Sequence, residues 1–153
     1  LLGTDAASVE ARRLEHARRA AGELGVTVLL KGSTTVIAPP GASGGSPDEP
    51  VGVNPTGTPW LATAGSGDVL SGLAGALLAQ GLEPAQAGLA AAYLHGMAGR
   101  LAATGMAGRL AATGMAGRLA ADAPGPEGPG GSSYAPIGAS DLVRALPAAF
   151  RSL

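Results

Sequence analysis

Hydrophobic residues at the start of the chain recur at helical spacing and then give way to short continuous apolar runs. Between Ser8 and Leu24 the small and apolar side chains recur at the spacing of one helical face, at Leu14, Ala17, Ala21 and Leu24. Gly25 follows at once, and glycine is the usual residue just past the C-terminal end of a helix. The pattern predicts one helix over residues 8–24 that ends at Gly25.

Three short strands are predicted downstream of this helix. Val26–Leu30 is a continuous β-branched and aliphatic run, typical of a strand in a parallel sheet that is covered on both faces. Thr34–Ala38 and Val51–Val53 have the composition of two further short strands. The segment between these two, Pro39–Pro50, is rich in proline, glycine and serine and is predicted to be a loop.

Paired helices are predicted to follow the strands. The apolar run Val69–Leu78 predicts a buried helix over Asp68–Gln80, and Gly81 marks its end. A second helix is predicted from Pro84 to about Ala103, because proline is favoured in the first turn of a helix.

The C-terminal segment predicts one last helix. Ser140 and Asp141 have the composition of a helix start, and Pro147 is expected to begin a further turn rather than continue the helix. A helix, short strands and paired helices in this order indicate an α/β layered fold.

Composition narrows the class of protein. The chain has 153 residues, enough for one domain with a modest core. Its net charge of −1 gives no electrostatic reason to expect nucleic acid or an acidic membrane as a partner. Cysteine is absent, and no apolar run is long enough to span a bilayer. The expectation is a soluble, cytoplasmic protein with no nucleic-acid or membrane partner.

A glycine-rich turn delivers one carboxylate to the start of the predicted central helix. Gly65 and Gly67 permit positive φ and close approach to a ligand, and Asp68 follows in the first helical turn. Free N–H groups and the positive dipole end make such a helix start suited to anions. Asp68 therefore either caps the helix or serves as a base beside a bound phosphate.

The residues around this turn resemble a known family. The resemblance is carried by Val28–Ile37, Asn54, Gly57, Thr63, Ala64, Gly65, Gly67, Asp68 and Ala92–Gly96. Together they are similar to the ribokinase-like superfamily and, within it, to the ADP-dependent NAD(P)H-hydrate dehydratases. The resemblance implies that residues 1–153 form the C-terminal half of a three-layer α/β/α domain, whose first strands precede Leu1 in the family.

The resemblance also implies a site and a reaction. An adenine nucleotide, ADP or ATP, would be bound by Lys31, Gly32, Ser33, Thr34, Thr35 and Gly67. Asp68 would contact the hydrated dinucleotide and act as the base, and the amides of Gly65, Ser66 and Gly67 would cradle the transferring phosphoryl group. The hydroxyl of NAD(P)H hydrate would be phosphorylated and then eliminated as phosphate, with Mg²⁺ assisting the transfer.

Two other polar residues, Asn54 and His95, have two interpretations each, and a third, His16, has one. Asn54 either holds Mg²⁺ through a water or orients a phosphate, or it forms a turn before Pro55. His95 lies in an alanine-rich predicted helix, where a packed or capping residue is expected more often than a catalyst. His16 lies among charged residues and is expected to face solvent.

Residues 97–121 contain a tandem nine-residue repeat, inserted in or after the second paired helix. Met97–Gly105 recurs as Met106–Gly114 and again, in part, as Met115–Ala121. Nine residues turn a helix by about 900°, so alternate copies face opposite sides and two inserted copies preserve the helical phase. The repeat is either an expansion with no function of its own or an oligomerisation helix with an apolar Met/Leu stripe.

Three functions are compatible with these patterns. The first is an ADP-dependent dehydratase, completed by a missing N-terminal half of its domain or assembled as a homo-oligomer. The second is a ribokinase-like kinase for a vitamin precursor or a sugar, which would release a stable phosphorylated product. The third is a non-catalytic fragment or assembly module in which the repeat dominates.

Overall fold

The computed structural model describes residues 3–43, 50–112 and 136–153. The chain divides into two compact units. The first consists of Leu1–Gly57 and Leu70–Tyr93, and the second of Thr58–Val69 and Leu94–Leu153.

Helices and short strands make up the described residues. In chain order they are α1 (Ala6–Ala11), α2 (Arg13–Leu24), β1 (Val28–Leu30), β2 (Thr35–Ala38), β3 (Gly52–Asn54), α3 (Ser66–Ala79), α4 (Pro84–Ala112) and α5 (Ala139–Phe150). Two short 3₁₀ turns, Pro40–Ser43 and Pro59–Leu61, lie between them.

The first predicted helix is divided into two. Arg12 has φ −137° and ψ 51°, which is not helical, and it separates α1 from α2. Asp5 caps α1, since its carboxylate accepts hydrogen bonds from the backbone N–H of Ser8 at 2.9 Å and from the Ser8 hydroxyl at 2.7 Å. The predicted end at Gly25 is confirmed, because Gly25 has φ 66°.

His16 is buried, so the prediction that it faces solvent is wrong. Only 3% of its surface is exposed, and its Nε2 lies 3.1 Å from the carbonyl oxygen of Ser8. A carbonyl oxygen only accepts, so Nε2 donates this hydrogen bond. The imidazole joins α2 to α1 across the break at Arg12. The charged neighbours of His16 in the sequence carried no information about whether its side chain is buried.

The three strands form an antiparallel sheet in the order β1-β2-β3, so the expected parallel pairing is wrong for them. Leu29 pairs with Ile37, and Val36 pairs with Val53. Only residues 31–34 connect β1 to β2, whereas a parallel crossover needs a dozen or more residues.

Helices pack on both faces of this sheet within the first unit. On one face, Val36 and Ala38 form a buried core with Ala17 and Ala21 of α2, joined by Val28, Leu30 and Val51. On the other face, Ile37 meets the start of α4, where a Cβ built on Gly88 would lie 3.3 Å from Ile37 Cγ2. The predicted α/β fold is confirmed, and within this unit the sheet is covered on both sides.

Helix α3 is buried along one stripe rather than all round. Its buried apolar residues are Leu70, Leu73 and Leu77, at helical spacing, whereas Leu78 is 46% exposed. The prediction of a buried helix therefore holds for this stripe and not for the opposite face, since the apolar run fixes the helix but not how much of it is covered.

Helix α4 continues beyond the predicted end near Ala103. It begins at Pro84, as predicted, and runs to Ala112, so the first nine-residue copy and most of the second are helical. The rest of the predicted repeat, residues 113–121, lies outside the described residues. No helix within the described ranges is long and apolar enough to cross a membrane.

Helix α5 passes through Pro147, so the prediction of a new turn there is wrong. The helix begins after Gly138, whose N–H donates to the Asp141 carboxylate at 3.0 Å. Proline has no N–H group and so cannot donate a hydrogen bond within the helix. Leu142 and Ala149 are nevertheless buried along α5, and this packing is consistent with a continuous helix.

Candidate functional site

The turn before α3 is held by hydrogen bonds on both sides of Gly65. Gly65 has φ +82°, which confirms the prediction of a left-handed glycine, whereas Gly67 lies inside α3 and has no positive φ. The Ser66 hydroxyl donates to the Leu61 carbonyl at 2.6 Å. The Gly65 carbonyl accepts from the N–H groups of Asp68 at 3.1 Å and Val69 at 3.2 Å, which begins the helix.

His95 holds the first residue of α3. Its Nε2 lies 2.9 Å from the Ser66 carbonyl oxygen, and the side chain is only 7% exposed. Because the carbonyl accepts, Nε2 carries the hydrogen and donates. His95 is therefore a packed residue that fixes the start of α3, and the reading of His95 as a packed residue is confirmed.

Gly65 also brings α3 close to the start of α5. A Cβ built on Gly65 would lie 3.0 Å from the Cβ of Ala139, a contact tighter than side chains normally make. The N-terminal ends of α3 and α5 therefore lie side by side. Both carry the positive end of a helix dipole, so this part of the second unit favours negative charge.

Asp68 and Asp141 occupy equivalent places in the two helices, three residues after the glycine that precedes each one. Asp141 accepts a hydrogen bond from the N–H of its glycine, Gly138, and forms an ion pair with Arg144 at 3.3 Å. Asp68 is exposed, and its carboxylate makes no hydrogen bond or ion pair with the described residues. Of these two aspartates, only Asp141 caps its helix. The carboxylate of Asp68 does not make the capping hydrogen bond that the sequence allowed.

The backbone conformation of the two glycines differs between these helix starts. Gly138 has φ −104° and ψ 170°, an extended conformation in which its N–H meets the carboxylate that follows. Gly65 has φ +82° instead. The left-handed conformation rotates the preceding peptide unit, and the Asp68 carboxylate stays open to solvent.

The second group of predicted residues lies in the connection between β1 and β2. Lys31, Gly32 and Ser33 are exposed, and Thr34 and Thr35 are half-buried. A Cβ built on Gly57 would lie 2.7 Å from the Ser33 carbonyl oxygen, so the chain at Gly57 passes directly against this loop.

Asn54 lies next to this loop, at the end of β3. It is 4% exposed and pairs with Thr35 across the sheet. Its side-chain oxygen accepts from the Thr56 hydroxyl at 3.0 Å, across Pro55. Within residues 3–43, 50–112 and 136–153, no group of three His, Cys, Asp or Glu residues is placed to hold a metal ion.

The structure therefore brings the predicted residues together in two groups. Lys31–Thr35 and Asn54 meet in the first unit, and Gly65–Asp68 lie in the second. Sequence reasoning missed Arg13, which contacts the loop from α2, and did not identify His95 as the partner of Ser66. The sequence carried no local signal for Arg13, because residue 13 lies inside the single helix predicted over residues 8–24.

Comparison with known proteins identifies the family. Residues 1–119 match the family model described as NAD(P)H-hydrate dehydratase. The chain is an α/β protein with a glycine–aspartate helix start, and it belongs to the NAD(P)H-hydrate dehydratase family.

Two relatives illustrate the similarity. The bifunctional NAD(P)H-hydrate repair enzyme Nnr of Moorella thermoacetica is 52% identical over 103 residues, 67% of this chain and 18% of the relative. The ADP-dependent (S)-NAD(P)H-hydrate dehydratase of Neisseria meningitidis serogroup B is 48% identical over 98 residues, 64% of this chain and 31% of the relative.

A solved structure is also similar to this chain. It is the ADP/ATP-dependent NAD(P)H-hydrate dehydratase from Bacillus subtilis, co-crystallised with ATP/Mg²⁺ and soaked with CoA. The TM-score is 0.66 at 26% identity, and the match covers 99% of this chain but 44% of that one. This chain thus spans less than half of the solved relative and under a third of the two curated relatives.

Proposed function

We propose that this chain carries the adenine-nucleotide site and the base of an ADP-dependent dehydratase that converts (6S)-NAD(P)H hydrate to NAD(P)H. The observation that supports it most is the free carboxylate of Asp68 at the start of α3. The equivalent Asp141 is bound to its own helix backbone, whereas Asp68 is exposed beside two helix N-termini. A carboxylate in that position is available to accept a proton next to a bound phosphate.

The proposed reaction has two steps. The hydrate hydroxyl gives its proton to Asp68 while its oxygen bonds to the β-phosphorus of ADP, and the bond from that phosphorus to the bridging oxygen breaks to release AMP. The carbon–oxygen bond of the phosphorylated hydrate then breaks, with its electrons leaving on phosphate. Loss of a proton from the neighbouring ring carbon forms the double bond. ADP and hydrate thus give AMP, phosphate and NAD(P)H.

The remaining residues have positioning roles in this proposal. Lys31–Thr35 and Gly67 bind the nucleotide, and the Gly65–Gly67 backbone stabilises the charge that develops on the transferring phosphoryl group. The Ser66 N–H donates to the Thr63 carbonyl at 3.2 Å, a long bond that a phosphate oxygen would have to replace. Mg²⁺ would neutralise phosphate charge and would arrive with the nucleotide.

We further propose that residues 1–153 act as the C-terminal half of the domain, completed by the part that the longer relatives also contain. The relatives extend well beyond the matched region, since the match covers 44% of the solved structure. The repeat over residues 97–121 is proposed to take no part in the reaction.

Nucleotide binding is tested by thermal melts of the chain with and without ADP and Mg²⁺, using the wild type, Asp68→Asn and Asp141→Asn. Ligand at a hundredfold excess over its dissociation constant stabilises the native state by about 2.7 kcal/mol. We expect ADP to raise the midpoint for all three chains. A melt that ADP does not shift would contradict the nucleotide site.

Turnover is tested with NAD(P)H hydrate and the chain joined to the rest of its domain. We expect NAD(P)H, AMP and phosphate in equal amounts, loss of activity in Asp68→Asn and retained activity in Asp141→Asn. A stable phosphorylated product would instead indicate a kinase.

A further inference from the structure

Arg13, at the start of α2, is bound to the backbone of the β1–β2 connection. Its Nη2 lies 3.1 Å from the carbonyl oxygen of Leu30, 2.7 Å from that of Lys31 and 3.2 Å from that of Thr34. Its Nη1 donates to the carboxylate of Glu10 at 2.5 Å. One guanidinium therefore ties both ends of the connection to α2.

Gly32 lies directly against this guanidinium. A Cβ built on Gly32 would collide with the Nη1, Nη2 and Cζ atoms of Arg13. On its other side the loop meets Gly57, where a Cβ would lie 2.7 Å from the Ser33 carbonyl oxygen. The loop is thus held between Arg13 and Gly57, and both glycines leave room for these contacts.

The contacts of Arg13 set the direction of the loop's N–H groups. In a planar trans peptide the C=O and N–H groups point in opposite directions. Because the carbonyls of Leu30 and Lys31 point to the guanidinium, the N–H groups of Lys31 and Gly32 point away from it. Lys31 and Gly32 are exposed, so the outward side of the loop presents donors to a ligand that carries acceptors.

Two features set Arg13 apart from an ordinary surface arginine. The first is its position at the start of a helix, where a cation opposes the helix dipole. The second is its burial, since the side chain is only 15% exposed and its Nε has no partner among the described residues. Arg12, its neighbour, is 59% exposed and makes an ion pair with Glu15 at 3.3 Å. Only a planar fork can reach three loop carbonyls and a carboxylate together, which a lysine cannot do.

We propose that Arg13 is a positioning residue for the nucleotide: it holds the Lys31–Thr34 backbone so that its N–H groups face the bound adenine nucleotide. The inference rests on the proposed function, which places the nucleotide at Lys31–Thr35. Arg13 itself does not touch the nucleotide, because its guanidinium lies behind Gly32.

The test compares ADP affinity by calorimetric titration, in the presence of Mg²⁺, for the wild type, Arg13→Lys and the matched control Arg12→Lys. Both substitutions keep the charge. We expect Arg13→Lys to weaken binding about tenfold, the equivalent of one charge-assisted hydrogen bond, and Arg12→Lys to stay within about twofold of the wild type.

A second measurement follows amide hydrogen exchange at residues 31–35, without nucleotide. We expect Arg13→Lys to speed exchange there more than in β2 or α2, and Arg12→Lys to leave it unchanged. If Arg13→Lys does not fold, side-chain Nη resonances of Arg13 in the wild type replace the variant. They should be slowly exchanging in the free chain and shift when ADP is added.

The outcomes separate this inference from the proposed function. ADP binding by the wild type with equal affinity for both variants, or Nη resonances that ADP does not shift, would overturn the role of Arg13 and leave the nucleotide site standing. Wild-type chain that does not bind ADP would overturn the proposed site and, with it, the role of Arg13 in nucleotide binding.

Discussion

His95 Nε2 donates a hydrogen bond of 2.9 Å to the carbonyl oxygen of Ser66, two residues before Asp68. The histidine lies in the interior of α4, so a long helix supports the turn that presents the carboxylate. The start of α3 is thereby fixed by the side chain of Ser66 on one side, through Leu61, and by His95 on the other.

We expect His95→Phe to destabilise the fold by about 1–3 kcal/mol, because it removes a buried donor from the Ser66 carbonyl. His95→Gln should retain part of the stability, since its amide can donate. Chemical denaturation of the three chains measures the difference. Equal stability of His95→Phe and the wild type would show that the hydrogen bond contributes nothing.

Asp68→Asn and Asp141→Asn should differ in their effect on stability. Asp141 is bound to the Gly138 N–H, so its substitution should lower the free energy of unfolding by about 0.5–2 kcal/mol while leaving ADP binding in place. Asp68 has no such bond, so Asp68→Asn should leave stability within about 0.5 kcal/mol of the wild type. Denaturant unfolding at neutral pH measures both. A large loss of stability in Asp68→Asn would mean that Asp68 supports the helix.

Gly65→Ala should be strongly unfavourable. Gly65 has φ +82°, and the added Cβ would lie 3.0 Å from that of Ala139, so we expect a loss of about 1–3 kcal/mol. Gly72 is the matched control: it lies within α3 with nothing within 4 Å of its built Cβ, and Gly72→Ala should stabilise by about 0.5–1 kcal/mol.

Thermal melts of the two alanine variants check this pair. Similar changes of the midpoint in both variants would contradict the assignment of Gly65 as a left-handed residue that the contact with α5 requires.

The Asp5 cap should fail in acid. The hydrogen bond from the Ser8 hydroxyl, and then that from the Ser8 N–H, lower the pKa of Asp5 from its ordinary value of 3.8. A lowered pKa in the folded state means that the cap contributes stability above the unfolded pKa and that this is lost as pH falls through the folded value. The chemical shift of the Ser8 amide should therefore titrate below pH 3.8. A titration above that value would contradict the cap.

Local signals predicted most of the secondary structure. Gly25 ended α2 as expected, and Pro84 began α4, because left-handed glycine and first-turn proline depend on the backbone of a few residues. The break at Arg12 was missed, since the helical periodicity continues across it. The passage of α5 through Pro147 was missed as well, because packing of Leu142 and Ala149 is a tertiary contribution.

The candidate site was predicted in part. The sequence pointed to the Gly65 turn and to the loop at Lys31, and the family match is consistent with both. It did not reveal the antiparallel sheet, since a continuous apolar run looks the same in either strand direction. It also placed His16 at the surface, whereas the side chain is buried against α1.

By itself, the sequence determined where the chain turns and which residue types stand at those turns, because proline, glycine and capping side chains act over three or four residues. The tertiary structure decided what those residues contact. Arg13 reaches carbonyls 17 to 21 residues away, and Gly65 meets Ala139 from the far end of the chain. Such contacts depend on how helices pack, so the motif alone did not decide whether the Asp68 carboxylate bonds to its own helix; in the structure it makes no hydrogen bond with the described residues.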